Sequence, residues 1–374
     1  MRKAIAGVIG TGQISGIYLK NLTQTFDAAI EVKAVADQMP ELAAKRAEQF
    51  GIPNAWTVER LLADPDIEIV LNLTAPAAHA EINRMALNAG KHVYTEKPFA
   101  LTREDAEEVL ELAERKGLLV GCAPDTFLGG GLQTCRKLID EGWIGTPYSA
   151  NGTIVMGNAS GGMHPNFRNF FKLGGDPIMD MAPYYLTALV FLLGPIQRVT
   201  GSARQLHREI TVINPKSPSY GEKVAIEAPT NVSAVLDFAS GAIGSLQAAK
   251  ESFGYSPRLE IFGTEGNLIA NDPNFFGGKV SIQFPNGETK EVPLTHGYTD
   301  DSRGIGLADM AAAIRLGRPH RATGALARHV LDVSLGIFDA AREGRHVGIA
   351  STVERPAPLP LGLKFNRLDT DDAR

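Results

Sequence analysis

Over its first third the chain alternates short apolar runs with segments whose apolar positions recur at helical spacing. Ala4 to Ile9 is a run of strand length, and Ile14, Ile17, Tyr18 and Leu22 then follow at intervals that suit one helix face. Ile30 to Ala36 predicts a second strand, Glu41 to Phe50 a helix closed by Gly51, and Glu59 to Ala63 a shorter helix. Ile67 to Leu73 predicts the next strand, followed by a helix through Ala89 with Gly90 as its stop. Lys91 to Tyr94 is again strand-like. Thr102 and Asp105 form a capping box that opens a charged helix ending at Gly117, and Leu118 to Cys122 closes the series. Strands and helices alternating through short links predict a parallel, doubly wound sheet over residues 1–123.

Beyond residue 123 the pattern changes. A helix from Leu128 to Glu141 precedes strand-like segments at Ser149 to Met156, Arg198 to Arg208, Asn231 to Phe238, Ala242 to Glu251, Arg258 to Phe262 and Lys279 to Phe284. Turn signals such as Ser240-Gly241 and Pro285-Asn286-Gly287 separate them, which predicts a large, mostly antiparallel open sheet with helices on one face. Met181 to Leu193 is too short to span a bilayer and stops at Gly194-Pro195, so it reads as a buried helix. Two more helices, Ile305 to Leu316 and Gly324 to Glu343, come before a proline-rich, extended tail. Residues 124–374 are therefore expected to form one α+β domain. An apolar sheet face is rarely left to solvent, so a homodimer or homotetramer through this sheet is expected.

Composition narrows the field. The 374 residues are 44% apolar and 21% charged with a net charge of −5, which leaves no basic footprint for nucleic acid or an anionic membrane. The two cysteines, Cys122 and Cys135, have neither metal-ligand spacing nor the number for a disulfide framework. Arg2 and Lys3 precede an apolar run that breaks at Gly10, too short for a signal peptide. A cytoplasmic protein without a metal is the expectation.

The candidate chemistry lies where strands should end. Gly10-Thr11-Gly12-Gln13-Ile14-Ser15 joins a strand to a helix, the context in which a glycine-rich turn cradles a dinucleotide; Ser15 stands where the third glycine of that fingerprint would be. Asp37 at the end of the second strand can accept the ribose hydroxyls of an adenosine and repels a 2′-phosphate. No arginine follows it directly, which favours NAD over NADP. A helix-capping carboxylate ahead of Pro40 explains Asp37 as well. Thr74, Ala75 and Pro76 form a further cofactor-facing loop with His79 on the next helix turn, where a simple surface histidine is the plain alternative. Thr95-Glu96-Lys97-Pro98 puts a lysine on stiff backbone at a strand's carboxyl end, with Glu96 beside it.

In the second half, Gly174-Gly175 precedes Asp180 and Tyr184, which are four residues apart and share a face if one helix carries both. An N-cap aspartate and a core aromatic are the plain alternatives. The glycine turn, Thr95-Glu96-Lys97-Pro98, Asp180 with Tyr184, Ile261-Phe262-Gly263-Thr264-Glu265-Gly266 and Ala308-Asp309-Met310 together resemble the glucose–fructose oxidoreductase, inositol dehydrogenase and MocA family. The resemblance implies a Rossmann domain followed by an open-sheet substrate domain, and hydride transfer between NAD(P) and a hydroxyl of a sugar, sugar derivative or inositol. It puts the family's lysine at Lys97 and its aspartate at Asp180. Many members carry a histidine at the position of Tyr184, and others a tyrosine.

On this reading Lys97, Asp180 and Tyr184 converge on one substrate hydroxyl, and His164, Asn166 and Arg168 offer further polar contacts to a polyol. A phenol acting as base must be brought from ~10 to ~7, roughly 4 kcal/mol of differential interaction that a nearby ammonium can supply. Two other readings stay open: a non-catalytic NAD-binding sugar sensor, and a lyase or glycosidase that uses NAD transiently.

Overall fold

A computed structural model of the chain describes residues 2–157, 167–172, 174–252, 254–363 and 366–369. The chain makes two compact units, and neither is one stretch: Met1–Gln133, Thr295–Arg328 and Pro356–Arg374 form the first, Thr134–Leu294 and His329–Arg355 the second. This differs from a single cut after residue 123, because the chain returns to its first unit near the end. No helix among the described residues is long and apolar enough to cross a membrane.

The first unit alternates β1 (Ala4–Ile9), α1 (Ser15–Gln24), β2 (Ile30–Ala36), α2 (Pro40–Phe50), β3 (Asn54–Trp56), α3 (Val58–Ala63), β4 (Ile69–Asn72), α4 (His79–Asn88), β5 (His92–Thr95), α5 (Arg103–Lys116) and β6 (Val120–Cys122). The strands pair in parallel in the order β3-β2-β1-β4-β5-β6, the doubly wound arrangement expected. The three-residue β3 was not among the predicted strands. Register aligns Trp56, Ala36, Ile9, Asn72, Thr95 and Cys122 in one row across the sheet. The residues just beyond that row, Gly10, Asp37, Thr74 and Lys97, therefore leave the sheet at one edge, with the order reversing between β1 and β4.

The returning chain finishes this unit. Thr323 bridges to Gly121 and the Cys122 N–H donates to the Ala322 carbonyl at 3.1 Å, so the outer edge of β6 is paired rather than open. The buried Asp125 carboxylate accepts the Gly304 and Gly306 N–H groups at 2.9 and 3.0 Å. These lie at the start of a helix over Ile305–Leu316, where a negative charge offsets the helix dipole.

The second unit begins within α6 (Gly130–Asp140) and holds β7 (Pro147–Gly157), α7 (Pro177–Asp180), α8 (Ala182–Leu193), β8 (Ile196–Arg204), β9 (Glu209–Thr211), β10 (Lys223–Ala225), β11 (Asn231–Phe238), β12 (Ile243–Ser252), β13 (Tyr255–Gly263), β14 (Asn267–Ala270), β15 (Val280–Gln283) and β16 (Thr289–Val292). After α9 (Ile305–Leu316), α10 (Gly324–Glu343) leads to β17 (Val347–Gly348). Nine strands run in the order β16-β15-β14-β13-β7-β12-β11-β8-β17, antiparallel except for β7 beside β12. Burial alternates strictly along β11 and β12, as a sheet covered on one face requires. Helices lie against the inward positions: Tyr185 of α8 sits over Gly152 and Ile337 of α10 over Gly201.

One expectation needs correction here. The helix predicted around Asp180 is two helices broken at Met181, with Asp176 as the N-cap of α7 and Pro183 in the first turn of α8, where its missing N–H costs little. The sheet face away from the helices is of mixed character: Asn151, Thr200, Ser202, Ser233, Ser245 and Gln247 line a shallow hollow of about 550 Å³ on it together with Ala234 and Val235, and Ile243 is exposed on the same face.

Burial pushes the Asp125 carboxyl up to about 6, although two N–H groups favour its ionised form. A carboxyl raised in the folded state lends stability below its unfolded value of ~4, and that stability is lost as pH rises through about 6. Asp125→Asn can keep the two hydrogen bonds without the charge. Measured by urea unfolding, it should gain on the unmutated protein by up to about 3 kcal/mol between pH 4 and pH 7. A difference that stays constant with pH would rule this out.

Candidate active site

The glycine turn is built from its backbone outward. Gly10 has φ +97, and a Cβ there would lie 2.5 Å from the carbonyl carbon of Leu73, so only glycine fits. Gly12 by contrast is exposed, and a Cβ there meets nothing within 4 Å. Ser15, in the third glycine's place, is buried and donates its hydroxyl to the Gly12 carbonyl at 2.6 Å, tightening the turn into α1. Gln13 and Ile14 are exposed; Ile14 precedes the helix rather than joining its buried face.

Asp37 is fixed by three donors. Its Oδ2 accepts the Thr11 N–H at 2.7 Å and the Thr11 hydroxyl at 2.9 Å, and its Oδ1 accepts the Met39 N–H at 3.0 Å. It therefore steadies the start of α2 and ties the end of β2 to the glycine turn. Arg46 was not considered from the sequence because it lies nine residues on, within α2. Its Nη2 donates to the Gly12 carbonyl at 3.2 Å and its Nη1 to Gln49 at 2.7 Å. The signal available was helical periodicity, since Ala43 and Ala47 beside it are the buried positions of α2.

Asn72, fully buried at the end of β4, organises the next loop. Its Oδ1 accepts the Thr74 N–H and hydroxyl at 3.2 and 2.7 Å, and its amide donates to the His79 carbonyl and to Asn83. A polar residue closing the apolar run Ile69-Val70-Leu71 was the clue in the sequence. Ala75 and Pro76 are exposed. His79 does not face outward: it is 1% exposed, with Nδ1 2.7 Å from the Pro98 carbonyl and Nε2 3.0 Å from the Thr74 carbonyl. Burial pulls its pKa down while the two carbonyls oppose that. It joins the loops after β4 and β5.

Glu96 is likewise turned inward. One oxygen accepts the Tyr18 hydroxyl at 2.7 Å, and the other accepts the Lys97 N–H at 2.9 Å. It holds the backbone from which the partly exposed Lys97 side chain springs, ahead of a cis peptide bond to Pro98. The exposed Gly12, Gln13, Ile14, Ala75 and Pro76, with a carboxylate at the end of β2, fit a bound dinucleotide. Exposed Met39 adds an apolar surface at the same edge.

In the second unit, Asp180 ends α7 and Tyr184 lies in the first turn of α8, 8% exposed. Because Asp176 accepts the Ile178 and Met179 N–H groups, capping does not account for Asp180. What stands beside Asp180 is a buried lysine on β12: Lys250 Nζ lies 3.4 Å from its Oδ2 and also donates to the Gly175 carbonyl. The sequence reading passed over Lys250, which lies at the polar end of an alternating segment. Arg168 is exposed and paired with Glu222, against the ring of Phe167. His164 and Asn166 lie outside the described residues.

A parallel sheet with a dinucleotide turn at its switch point, joined to a large open sheet, defines a two-domain oxidoreductase of the Rossmann class. Comparison with known proteins agrees. Residues 5–123 match the model of the oxidoreductase family with an NAD-binding Rossmann fold, and residues 132–269 match the GFO/IDH/MocA C-terminal domain. The chain belongs to the GFO/IDH/MocA family. It is 29% identical over 251 residues to levoglucosan dehydrogenase of Pseudarthrobacter phenanthrenivorans, a match that spans 64% of each chain. It is 23% identical over 269 residues to myo-inositol 2-dehydrogenase of Thermotoga maritima, covering 71% of this chain and 75% of that one. Among solved structures, levoglucosan dehydrogenase in complex with NADH superposes with a TM-score of 0.81 at 23% identity, over 94% of this chain and 100% of the other.

The two glycines make contrasting predictions. Gly10→Ala should lower the melting temperature, because backbone must move to admit the methyl group. Gly12→Ala should melt like the unmutated protein yet bind NADH at least about tenfold more weakly, the loss expected when a methyl group blocks close backbone approach. Unchanged NADH fluorescence titration in Gly12→Ala would remove this turn from the cofactor site.

Proposed function

We propose that the protein is an NAD-dependent dehydrogenase acting on a hydroxyl carbon of a sugar, a sugar derivative or an inositol. The observation that carries this reading is the position of Lys97 at the same sheet edge as Gly10, Asp37 and Thr74. An ionisable side chain is thereby delivered to the place where a dinucleotide's reactive half belongs. The levoglucosan and inositol dehydrogenases among the relatives support a carbinol as substrate.

Gly10, Gly12 and Thr11 would hold the pyrophosphate, Asp37 the adenosine ribose, and the Thr74–Pro76 loop the rest of the dinucleotide. When bound, NAD⁺ supplies the hydride acceptor. Lys97 stabilises the negative charge that builds on the substrate oxygen as its proton leaves. Tyr184 takes that proton, and Asp180 accepts a hydrogen bond from a neighbouring substrate hydroxyl. Asp37 favours NAD over NADP, because a 2′-phosphate would meet a carboxylate already held by Thr11 and Met39. The sheet face away from the helices, where Val235 and Ile243 are exposed among Thr200, Ser202, Ser233 and Ser245, suits packing against a second copy of the chain.

A panel of aldoses, polyols and inositols with NAD⁺, followed by NADH absorbance, tests the reading directly. Substrate consumption without net NADH would replace it with transient use of the cofactor. Lys97→Ala should cut turnover by roughly 100-fold or more with little change in NADH affinity. Tyr184→Phe separates a proton acceptor from a packing residue, and near-normal turnover there takes tyrosine out of the mechanism. Asp37→Ala should weaken NAD binding and narrow the preference over NADP; tighter NADP binding by the unmutated protein contradicts the assignment.

A further inference from the structure

Lys250 stands where a lysine is costly. β11 and β12 pair residue by residue, and the inward positions of β12 leading up to it are Gly244, Leu246 and Ala248, all buried. Lys250 continues that series with a side chain only 4% exposed. An ammonium taken out of water at such a site costs several kcal/mol unless charges and hydrogen-bond acceptors offset it. An aliphatic residue would fill the same space without that cost.

The acceptors are specific. Nζ donates to the Gly175 carbonyl, in the paired-glycine turn that leads into α7, and faces Asp180 Oδ2 at 3.4 Å. Asp176 lies close enough for the ammonium to stabilise its ionised form, against a burial that pushes its carboxyl up. Two carboxylates thus share one ammonium, and Asp176 is already occupied in capping α7. Removing Lys250 takes away an ammonium that favours both ionised forms, so either carboxylate takes up a proton more readily.

We propose that Lys250 is a positioning residue that keeps the Asp180 carboxylate ionised, so that Asp180 accepts a hydrogen bond from a substrate hydroxyl rather than donating one. Among the described residues, the titratable groups on the elements around the pair are these. α7 contributes Asp176, and α8 contributes Tyr184 and Tyr185, whose hydroxyl goes to Asp272. β11 presents only apolar inward side chains, Val232, Ala234 and Leu236, and Glu251 next to Lys250 is taken by Thr230 and His207. Asp176 and Asp180 are therefore the carboxylates whose protonation should answer to Lys250. The proposal rests on Asp180 serving the dehydrogenase reaction, but its electrostatic part can be read without any substrate.

The experiment follows the Asp180 side-chain carboxyl carbon by NMR in the full-length protein, its resonance identified by loss in Asp180→Asn. In Lys250→Gln and Lys250→Met the titration midpoint should rise by about one pH unit or more, whereas Lys250→Arg should keep the unmutated midpoint. With a turned-over sugar in hand, the acid limb of kcat/KM should move up by the same amount in the Gln variant and recover at high pH. Affinity for NADH should be unchanged. A midpoint that does not move in either neutral variant, with circular dichroism showing a folded chain, overturns the proposal. So does a turnover loss that is equal at every pH, which would mark Lys250 as a staple for the glycine turn. Failure of all sugars to react, with the midpoint shifted as expected, would count against the dehydrogenase reading and leave the Lys250–Asp180 pairing standing.

Discussion

The first unit depends on a contact that leaves no room for a side chain. At the point where strand order reverses, the backbone of Gly10 runs against the Leu73 carbonyl, which lies where a Cβ would be. β1 and β4 can then send their following loops apart from adjacent positions, and the crevice between them is lined by backbone. The neighbouring interactions build on that geometry. Thr11 reaches Asp37 across from β2, Asn72 folds the loop after β4, and Glu96 steadies the residue after β5. Each loop is held by a polar side chain at or just beyond a strand end, so the cofactor edge is a set of backbone turns tied to one another.

His79 extends the same logic inward. With both ring nitrogens against main-chain carbonyls of different loops, its imidazole fixes the spacing between the Thr74 loop and the Lys97 turn. Dispersion and burial could hold two loops together loosely; the ring N–H of a neutral imidazole, donated to one of these carbonyls 2.7 and 3.0 Å away, adds a directional contact that helps set their separation. The alignment of reacting groups depends on such separations, since a misplacement of about 1 Å can cost 10²-fold in rate. Asp176 plays a comparable part in the second unit, fixing where α7 starts and so where Asp180 ends it.

Much of this was legible in the sequence, and the exceptions have physical reasons. The parallel strands were readable because buried strands are continuous apolar runs, and the large sheet because β11 and β12 alternate without a fault. β3 escaped because Asn54-Ala55-Trp56 is too short to show a period, and β16 because Thr289-Lys290-Glu291-Val292 is a polar edge strand. Gly10 and Asp37 were visible because their chemistry is local. Arg46 and Lys250 were not, since each acquires its role from a partner brought near only by folding, whereas Asn72 works on Thr74, His79 and Asn83, all close to it in sequence. His79 differs in kind: its residue type and place suggested a cofactor contact or a surface position, and its burial between two carbonyls is visible only in the folded chain.

The route of the chain through its first unit has a consequence for synthesis. The outer edge of β6 waits for Ala322 and Thr323, and Asp125 waits for the N–H groups of Gly304 and Gly306. A ribosome that has released only the first 133 residues has exposed a sheet with an unpaired edge strand and a buried carboxylate lacking its donors. The 161 residues of Thr134–Leu294, all in the second unit, must be made before those partners emerge. The nascent cofactor domain therefore spends most of its translation incomplete, with an open sheet edge that a chaperone or a neighbouring chain could occupy.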